Sequence, residues 1–298
     1  MSACRWAGGV LLAVAVWGVS GCMAGPEKDP QALYNEGVDA LTSFRFDLAT
    51  TAFDQVAETA PAGSPLVVKA LLGSAICAHH KAPVTASAVD RAAELYGKVI
   101  AAAPTSPEAA LAEFHLGRIA EQVDFIGDKP DLPAAREHYR KVIDRAPGAD
   151  IAGEATFRLM GTYIQTLDPA QVKEGIAIAE ARVAKFPQDP WAGALWQGMG
   201  DAWNRVLNDP RKTIECFTHA LAVGLPEPTR AWEVYWCIGY LQEQLGDKDA
   251  AIKAYSEIII HYPTSGKAWE AQIAIKRLGG DAPPLRWFDA SRIEGGSK

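Results

Sequence analysis

Apolar residues recur along this chain at the three- and four-residue intervals of α-helices, in helix-length segments separated by short turns. In the clearest segment, Tyr235, Ile238 and Gly239 share one face of a predicted helix, because residues three and four apart lie above one another. Gly246 with Asp247 then predicts a turn, since glycine tolerates the positive φ that ends a helix. A second apolar helix follows and ends near a proline. The pattern predicts a pair of packed helices.

This helix-pair pattern recurs six times. The first helices each carry a glycine, at Gly37, Gly73, Gly117, Gly161, Gly200 and Gly239, with 36 to 44 residues between successive glycines. The second helices carry a small residue at Ala49, Ala92, Ala135, Gly175 and Ala251, a bulky one at Phe53, Tyr96, Tyr139, Phe217 and Tyr255, and a closing proline at Pro61, Pro104, Pro147, Pro187 and Pro263. One such pair cannot bury its apolar face alone, so the pairs are expected to stack into a helical solenoid.

The order of these residues resembles the signature of the tetratricopeptide repeat (TPR) family, in which W-x2-L-G-x2-Y precedes a small residue, an aromatic residue and a proline. The resemblance covers residues 29–278. It implies an all-α, right-handed TPR solenoid of about six helix-turn-helix repeats plus a C-terminal capping helix. The chain departs from the signature at Ala179, which replaces the aromatic of repeat four, and at Thr213, which replaces the small residue of repeat five. An ordinary helical bundle is the alternative, but six matches in fixed order favour the repeat.

Repeats two and three are longer between glycine and small residue than repeats one and six. The extra residues fall at 79–85, where Pro83 indicates a loop, and at 124–130, where Gly127 and Pro130 do the same. Both loops are expected to protrude from one edge of the solenoid.

The N-terminus predicts where the solenoid is located. Arg5 precedes the apolar stretch Ala7 to Val19, which is typical of a signal-peptide core and too short to cross a bilayer as a mature helix. The small residues before Cys22 resemble the bacterial lipobox, which implies that Cys22 is the lipid-attachment residue and that several acyl chains anchor it stably. Because Met23 and not aspartate follows Cys22, the same resemblance implies sorting to the outer membrane. A simple secretory cleavage site is the alternative.

These assignments divide the chain into four parts. They are a lipoprotein signal peptide at 1–21, a tether at 22–29, the TPR solenoid at 30–278 and an irregular C-terminal tail at 279–298. The expected location is the cell envelope, with the protein lipid-anchored in the outer membrane and facing the periplasm.

The net charge limits the classes of expected partner, and the cysteine content bears on whether a disulfide forms. The formal net charge is −7 and no basic stripe is visible, so nucleic acid is excluded as an expected partner, because phosphate binding needs a cationic footprint. The body holds Cys77, Cys216 and Cys237. An oxidising compartment would allow a disulfide between Cys216 and Cys237, while buried free thiols are the other interpretation.

Catalytic and metal-binding patterns are sparse. His79 and His80 are adjacent, and adjacent residues on a helix point about 100° apart, so we expect a solvated loop and no metal site there. His115, His138, His219 and His261 are scattered, and the familiar zinc, hydrolase, P-loop and dinucleotide motifs do not occur. The sequence therefore predicts no catalytic residue, no cofactor and no enzyme.

Binding of a partner protein is the class of function that remains. In TPR solenoids the first helices line the concave side, and this resemblance implies partner-binding residues at Tyr34, Phe114, Arg118, Arg158, Gln165, Asp201, Asn204, Arg205, Trp236, Tyr240 and Gln244. Such a mixture of aromatic, amide and charged side chains suits a peptide groove. For Phe114 and Trp236, packing in the core is an equal alternative.

The sequence as a whole predicts a lipid-anchored TPR scaffold that mediates protein–protein interactions in a cell-envelope assembly complex. Envelope proteins or peptides would occupy the concave groove, and the lipid anchor would contact the membrane. A lipobox followed by TPR repeats is similar to the lipoprotein of the outer-membrane β-barrel assembly machinery and to the pilotin lipoproteins of type IV pilus secretins. The alternatives are a periplasmic lipoprotein that binds a small ligand or peptide and, less favoured, an enzyme.

Overall fold

The structure, a computed structural model, describes residues 29–61 and 63–285. The predicted signal peptide, the lipid-attachment residue Cys22 and the tail beyond residue 285 lie outside these residues. None of the helices in the described part of the chain is both long enough and apolar enough to span a membrane.

The described chain is all-α and forms six consecutive helix pairs followed by one more helix, as the sequence predicts. The pairs are α1 Pro30–Thr42 with α2 Phe46–Thr59, α3 Pro65–His80 with α4 Ala86–Ala102, α5 Pro107–Glu121 with α6 Leu132–Arg145, α7 Asp150–Ile164 with α8 Pro169–Lys185, α9 Ala192–Ala202 with α10 Pro210–Val223, and α11 Ala231–Gln244 with α12 Lys248–His261. The capping helix is α13, Ala268–Leu278, and a π-helical turn, Trp203–Leu207, extends α9.

Helix starts are encoded by a polar cap followed by proline. The side chain of the capping residue accepts a hydrogen bond from a backbone N–H in the first turn, and proline at the first helical position lacks the N–H that would otherwise be unpaired. This pairing begins five helices, at Asp29–Pro30, Ser64–Pro65, Ser106–Pro107, Asp168–Pro169 and Asp209–Pro210. Such a cap contributes about 1 kcal/mol each.

The repeat glycines admit aromatic rings of the second helices. Phe53 lies between two of them, since a Cβ added at Gly37 or at Gly73 would lie 2.5 Å from its ring. Three other rings contact their glycines as closely, in the pairs Gly117–Tyr139, Gly200–Phe217 and Gly239–Tyr255. Glycine is therefore needed at these five positions of the first helices, where a ring of a second helix lies against the backbone.

Repeat four is built differently. A Cβ at Gly161 would meet no atom within 4 Å, because the facing aromatic position of α8 is Ala179. The close approach is made instead by Gly175, where a Cβ would lie 2.8 Å from Tyr163 Cβ and 3.2 Å from the Met160 carbonyl oxygen. In this pair, the glycine lies on the second helix and the aromatic residue on the first.

Successive first helices contact one another, which builds a continuous surface from α1 through α3, α5 and α7 to α9. The expectation that residues 79–85 form a solvated loop is wrong at its start. His79 and His80 complete the last turn of α3, and His79 is 4% exposed. The loop after α5 returns to that helix through a bond from Asp131 N–H to the Ala120 carbonyl oxygen (2.7 Å), while Ile126 is fully exposed.

Candidate functional site

The eleven sequence-predicted binding residues all lie on first helices or at their C-terminal ends. They occupy α1, α5, α7, α9 with its π-helical turn, and α11. We call them the first-helix surface: Tyr34, Phe114, Arg118, Arg158, Gln165, Asp201, Asn204, Arg205, Trp236, Tyr240 and Gln244. The structure brings most of them into three clusters and leaves two against the core.

The central cluster joins α5, α6 and α7 around a carboxylate that the sequence reasoning missed. Tyr139 Oη donates to Glu121 Oε2 (2.6 Å), and Gln165 Nε2 donates to Glu121 Oε1 (3.3 Å). Burial raises the pKa of Tyr139, and the bond to Glu121 raises it further, while the charges of Arg158 and Arg118 oppose the shift. Both guanidinium groups therefore lie close enough to the phenol to act on it.

The two arginines of this cluster each have an unpartnered donor. Arg118 donates through Nη2 to Gln122 Oε1 (2.9 Å), and Arg158 Nη2 lies 3.7 Å from Glu154 Oε1. The Nε atoms of Arg118 and Arg158 are buried, and the described residues supply no acceptor for either. The Nε atoms are covered, but both arginine side chains are partly exposed, so a ligand carboxylate on this surface would meet their Nη ends.

The second cluster lies between α9 and α11. Burial raises the pKa of Asp201, with Arg205 opposing and Glu233 adding to the shift. Asn204 Nδ2 donates to Cys237 Sγ (3.8 Å), and burial with the charge of Asp201 raises the pKa of Cys237 to about 11. Asp201 and Glu233 line a cavity of about 240 Å³ together with Arg230, which pairs with Glu233. This part of the first-helix surface is therefore recessed and carries charges of both signs.

The third cluster is aromatic and lies at the C-terminal end. The Trp236 ring lies 5.1 Å from the Tyr255 ring, and Lys267 Nζ lies 4.7 Å from the Trp236 ring centroid. Trp236 is half-buried, whereas Tyr240 is 51% exposed and Gln244 is exposed. Trp236 thus packs on the core with one face and remains partly accessible.

The structure corrects the prediction that Phe114 binds a partner. Its side chain is 5% exposed and packs 5.8 Å from the Tyr139 ring, so its ring belongs to the core and cannot reach a ligand in the groove. Tyr34 is half-buried against Phe53, at 5.9 Å between ring centroids. The signature position three residues before the repeat glycine thus serves packing in repeats one and three.

A cluster of histidines was missed from the sequence. His79, His80 and His115 each offer a ring nitrogen, and these atoms all lie within 4.8 Å of one another. The sequence analysis predicted a solvated loop with no metal site here, whereas the structure brings the three rings together. The signal was present in the repeat alignment, because His80 follows Gly73 by two helical turns and His115 precedes Gly117 on the neighbouring first helix.

Two further features lie away from the first-helix surface. A cavity of about 520 Å³ opens between α2, α3 and α4 and is lined by apolar residues such as Leu71, Cys77 and Leu95. The three cysteines of the described residues are free thiols, so Cys216 and Cys237 are not bridged in this structure. Burial raises the pKa of Cys216 to about 12.

Known protein families and solved structures share this architecture. Family models described as Tetratricopeptide repeat match residues 34–107, 84–150 and 233–265, together about half of the chain. No curated protein matches the sequence significantly.

Two solved structures are similar in fold. Pseudomonas aeruginosa PilF superposes with a TM-score of 0.52 at 14% identity, covering 82% of this chain and 96% of that one. BtubC (BKLC) from P. vanneervenii gives 0.51 at 13% identity, covering 87% and 96%. Identities this low show a shared fold alone.

Proposed function

Because this chain belongs to the tetratricopeptide repeat family, we propose that it is a scaffold that binds a peptide segment of a partner protein on its first-helix surface. The observation that carries the proposal is the pair of partly exposed arginine side chains, Arg118 and Arg158, one on each of two neighbouring first helices. An extended peptide offers acceptors for guanidinium groups at regular intervals, in its backbone carbonyls and in acidic side chains.

The clusters suggest what kind of segment would fit. A guanidinium favours a carboxylate that it can bind through two parallel bonds, so an acidic or C-terminal carboxylate is the expected contact of the central cluster. Trp236 and Tyr240 would then supply flat apolar anchors further along the surface, since aromatic side chains dominate interface energetics. The Asp201 carboxylate would favour a basic or amide side chain between these two points.

The anchor and the location form the second part of the proposal. Cys22 would carry the lipid, and the solenoid would face the periplasm from the outer membrane as part of an envelope assembly complex. The support is the lipobox resemblance at Cys22 and the apolar stretch before it. A tether of a few residues would hold the first repeat within about 25 Å of the bilayer.

A small-ligand function is the second candidate. Its support is the cavity of about 520 Å³ between α2, α3 and α4, because ligand sites typically enclose about 300–1,000 Å³ behind mainly apolar walls. In that case, Cys77 and Leu71 would contact the ligand, and the first-helix surface would be dispensable.

Affinity capture from detergent-solubilised envelopes separates these candidates. We expect the full chain to retain stoichiometric protein partners, and Arg158→Ala and Trp236→Ala to weaken retention at least tenfold with unchanged helical content. Arg211→Ala, an exposed arginine on the second helix α10, is the matched control and should behave as the wild type. Retention that survives both changes, or a chain that captures no protein, would contradict the scaffold.

A further inference from the structure

Three imidazoles converge where the last turn of α3 meets the middle of α5. One ring nitrogen of each of His79, His80 and His115 lies within 4.8 Å of the other two. The rings of His79 and His80 stack at 4.4 Å, and the His115 ring lies edge-on to His79 at 6.3 Å. Although His79 and His80 are adjacent on the helix, their rings stack and do not diverge.

His79 has the hydrogen-bonding pattern of a metal-ligating histidine. It is 4% exposed, and its Nε2 lies 3.3 Å from Asp124 Oδ2, so Nε2 carries the proton and donates it to the carboxylate. The lone pair then resides on Nδ1, which is buried and has no partner among the described residues. A carboxylate that orients a histidine through its other nitrogen is the usual arrangement behind a metal-bound imidazole.

We propose that His79, His80 and His115 bind a divalent zinc ion, with Asp124 as the residue that positions His79. Three neutral imidazoles with an open fourth position form a donor set typical of Zn²⁺, and imidazole also suits Cu²⁺ and Ni²⁺. In a tetrahedral site with Zn–N bonds of about 2.0–2.1 Å, the ligand nitrogens would be about 3.3 Å apart. The three rings therefore need to close inward by a small side-chain movement, which the exposed His80 can make.

Two charged groups lie beside the cluster. The Asp124 carboxylate lies 3.3 Å from His79 Nε2, and Arg118 follows His115 by one turn on α5.

Zinc at this point would link two repeats. His79 and His80 end the first helix of repeat two, His115 lies on the first helix of repeat three, and Asp124 lies in the loop after it. The ion would fix α3 against α5 and hold the loop at 122–131 onto the solenoid. His115 lies about one helical turn before Arg118 and two turns before Glu121 of the central cluster, so occupancy of the site would affect the order of that part of the first-helix surface.

The test is metal titration of the full chain, purified without a histidine tag and dialysed against chelator. We expect one Zn²⁺ per chain by competition with a chromophoric chelator, and the visible absorption of four-coordinate Co²⁺ when cobalt is the probe. His80→Gln and His115→Gln should weaken Zn²⁺ binding at least 100-fold and abolish the cobalt spectrum. Asp124→Asn should weaken binding about 10- to 100-fold, as loss of an outer partner does.

His261→Gln is the matched control, because His261 lies on α12 against Glu257 and away from the cluster. It should bind Zn²⁺ as the wild type does. Since His80 is exposed, its replacement leaves the fold intact, and the result does not depend on the stability of the His115 variant. The proposal would be overturned by a chain that binds no Zn²⁺ or Co²⁺, or by a His80→Gln variant with wild-type affinity.

Discussion

Replacing the repeat glycines by alanine tests the packing on which the whole solenoid depends. A methyl group at Gly200 would lie 2.5 Å from two ring carbons of Phe217, and one at Gly239 would lie 2.6 Å from the Tyr255 ring. Carbon atoms in contact prefer about 3.5–4.0 Å, so each methyl overlaps its ring by roughly 1 Å. Neither ring has room to move, because Phe217 is 3% exposed and Tyr255 is 1% exposed.

The expected magnitudes follow from two opposing effects. Alanine is favoured over glycine inside a helix by about 1 kcal/mol, and overpacking of a filled core costs about 1–3 kcal/mol. Gly200→Ala and Gly239→Ala should therefore lower the free energy of unfolding by up to about 2 kcal/mol. Gly161→Ala is the matched control, since no atom lies within 4 Å of its Cβ position. It should raise the free energy of unfolding by up to about 1 kcal/mol.

Urea unfolding followed by far-UV circular dichroism measures these differences, with thermal unfolding as a second readout. In a chain of this size, 1 kcal/mol corresponds to about 2–4 °C in Tm. Gly161→Ala should melt above the wild type and the other two variants below it. The reasoning is refuted if Gly161→Ala destabilises as much as Gly200→Ala, or if all three variants gain stability.

Three further predictions concern other parts of the chain. Arg182→Ala should destabilise by about 3–5 kcal/mol in chemical unfolding, because it leaves the buried carboxylate of Asp189 without its ion-pair partner; a loss below 1 kcal/mol would show that the pair is dispensable. Cys216 and Cys237 should react slowly with iodoacetamide at pH 8 in the folded chain and quickly in denaturant, since raised pKa values leave little thiolate, and equal rates would contradict their burial. Cys22→Ser should abolish metabolic labelling with palmitate, and label that persists would refute the lipid anchor.

The repeat architecture could be predicted from the sequence because it rests on local rules. Glycine, small residue, aromatic and proline recur at nearly fixed spacing, and each constrains its own helix pair. The finer packing could not be predicted position by position. Phe53 fills the space of two glycines, Gly37 and Gly73, which requires knowing how one repeat stacks on the next. Gly161 keeps the signature but lies in open space, because the facing residue is Ala179.

The candidate site was predictable in outline and not in detail. The family pattern indicated on which helix faces binding residues are expected, and it placed Arg118, Arg158 and Gln165 on neighbouring helices. The family pattern did not identify Glu121, because the role of Glu121 depends on hydrogen bonds from Tyr139 and Gln165, which lie on other helices. The histidine cluster was missed for the same reason, since His115 is distant in sequence from His80 and approaches it only through stacking.

Photo-crosslinking in the envelope tests the central claim, that a protein partner binds the first-helix surface, most directly. A photoreactive amino acid is placed at Gln165 or Tyr240, both exposed on that surface, and at Arg211 on the second helix α10 as the control. The scaffold predicts a discrete protein adduct from Gln165 and Tyr240 that is absent with the probe at Arg211. Adducts that form only from Arg211, or none from either first-helix position, would contradict it.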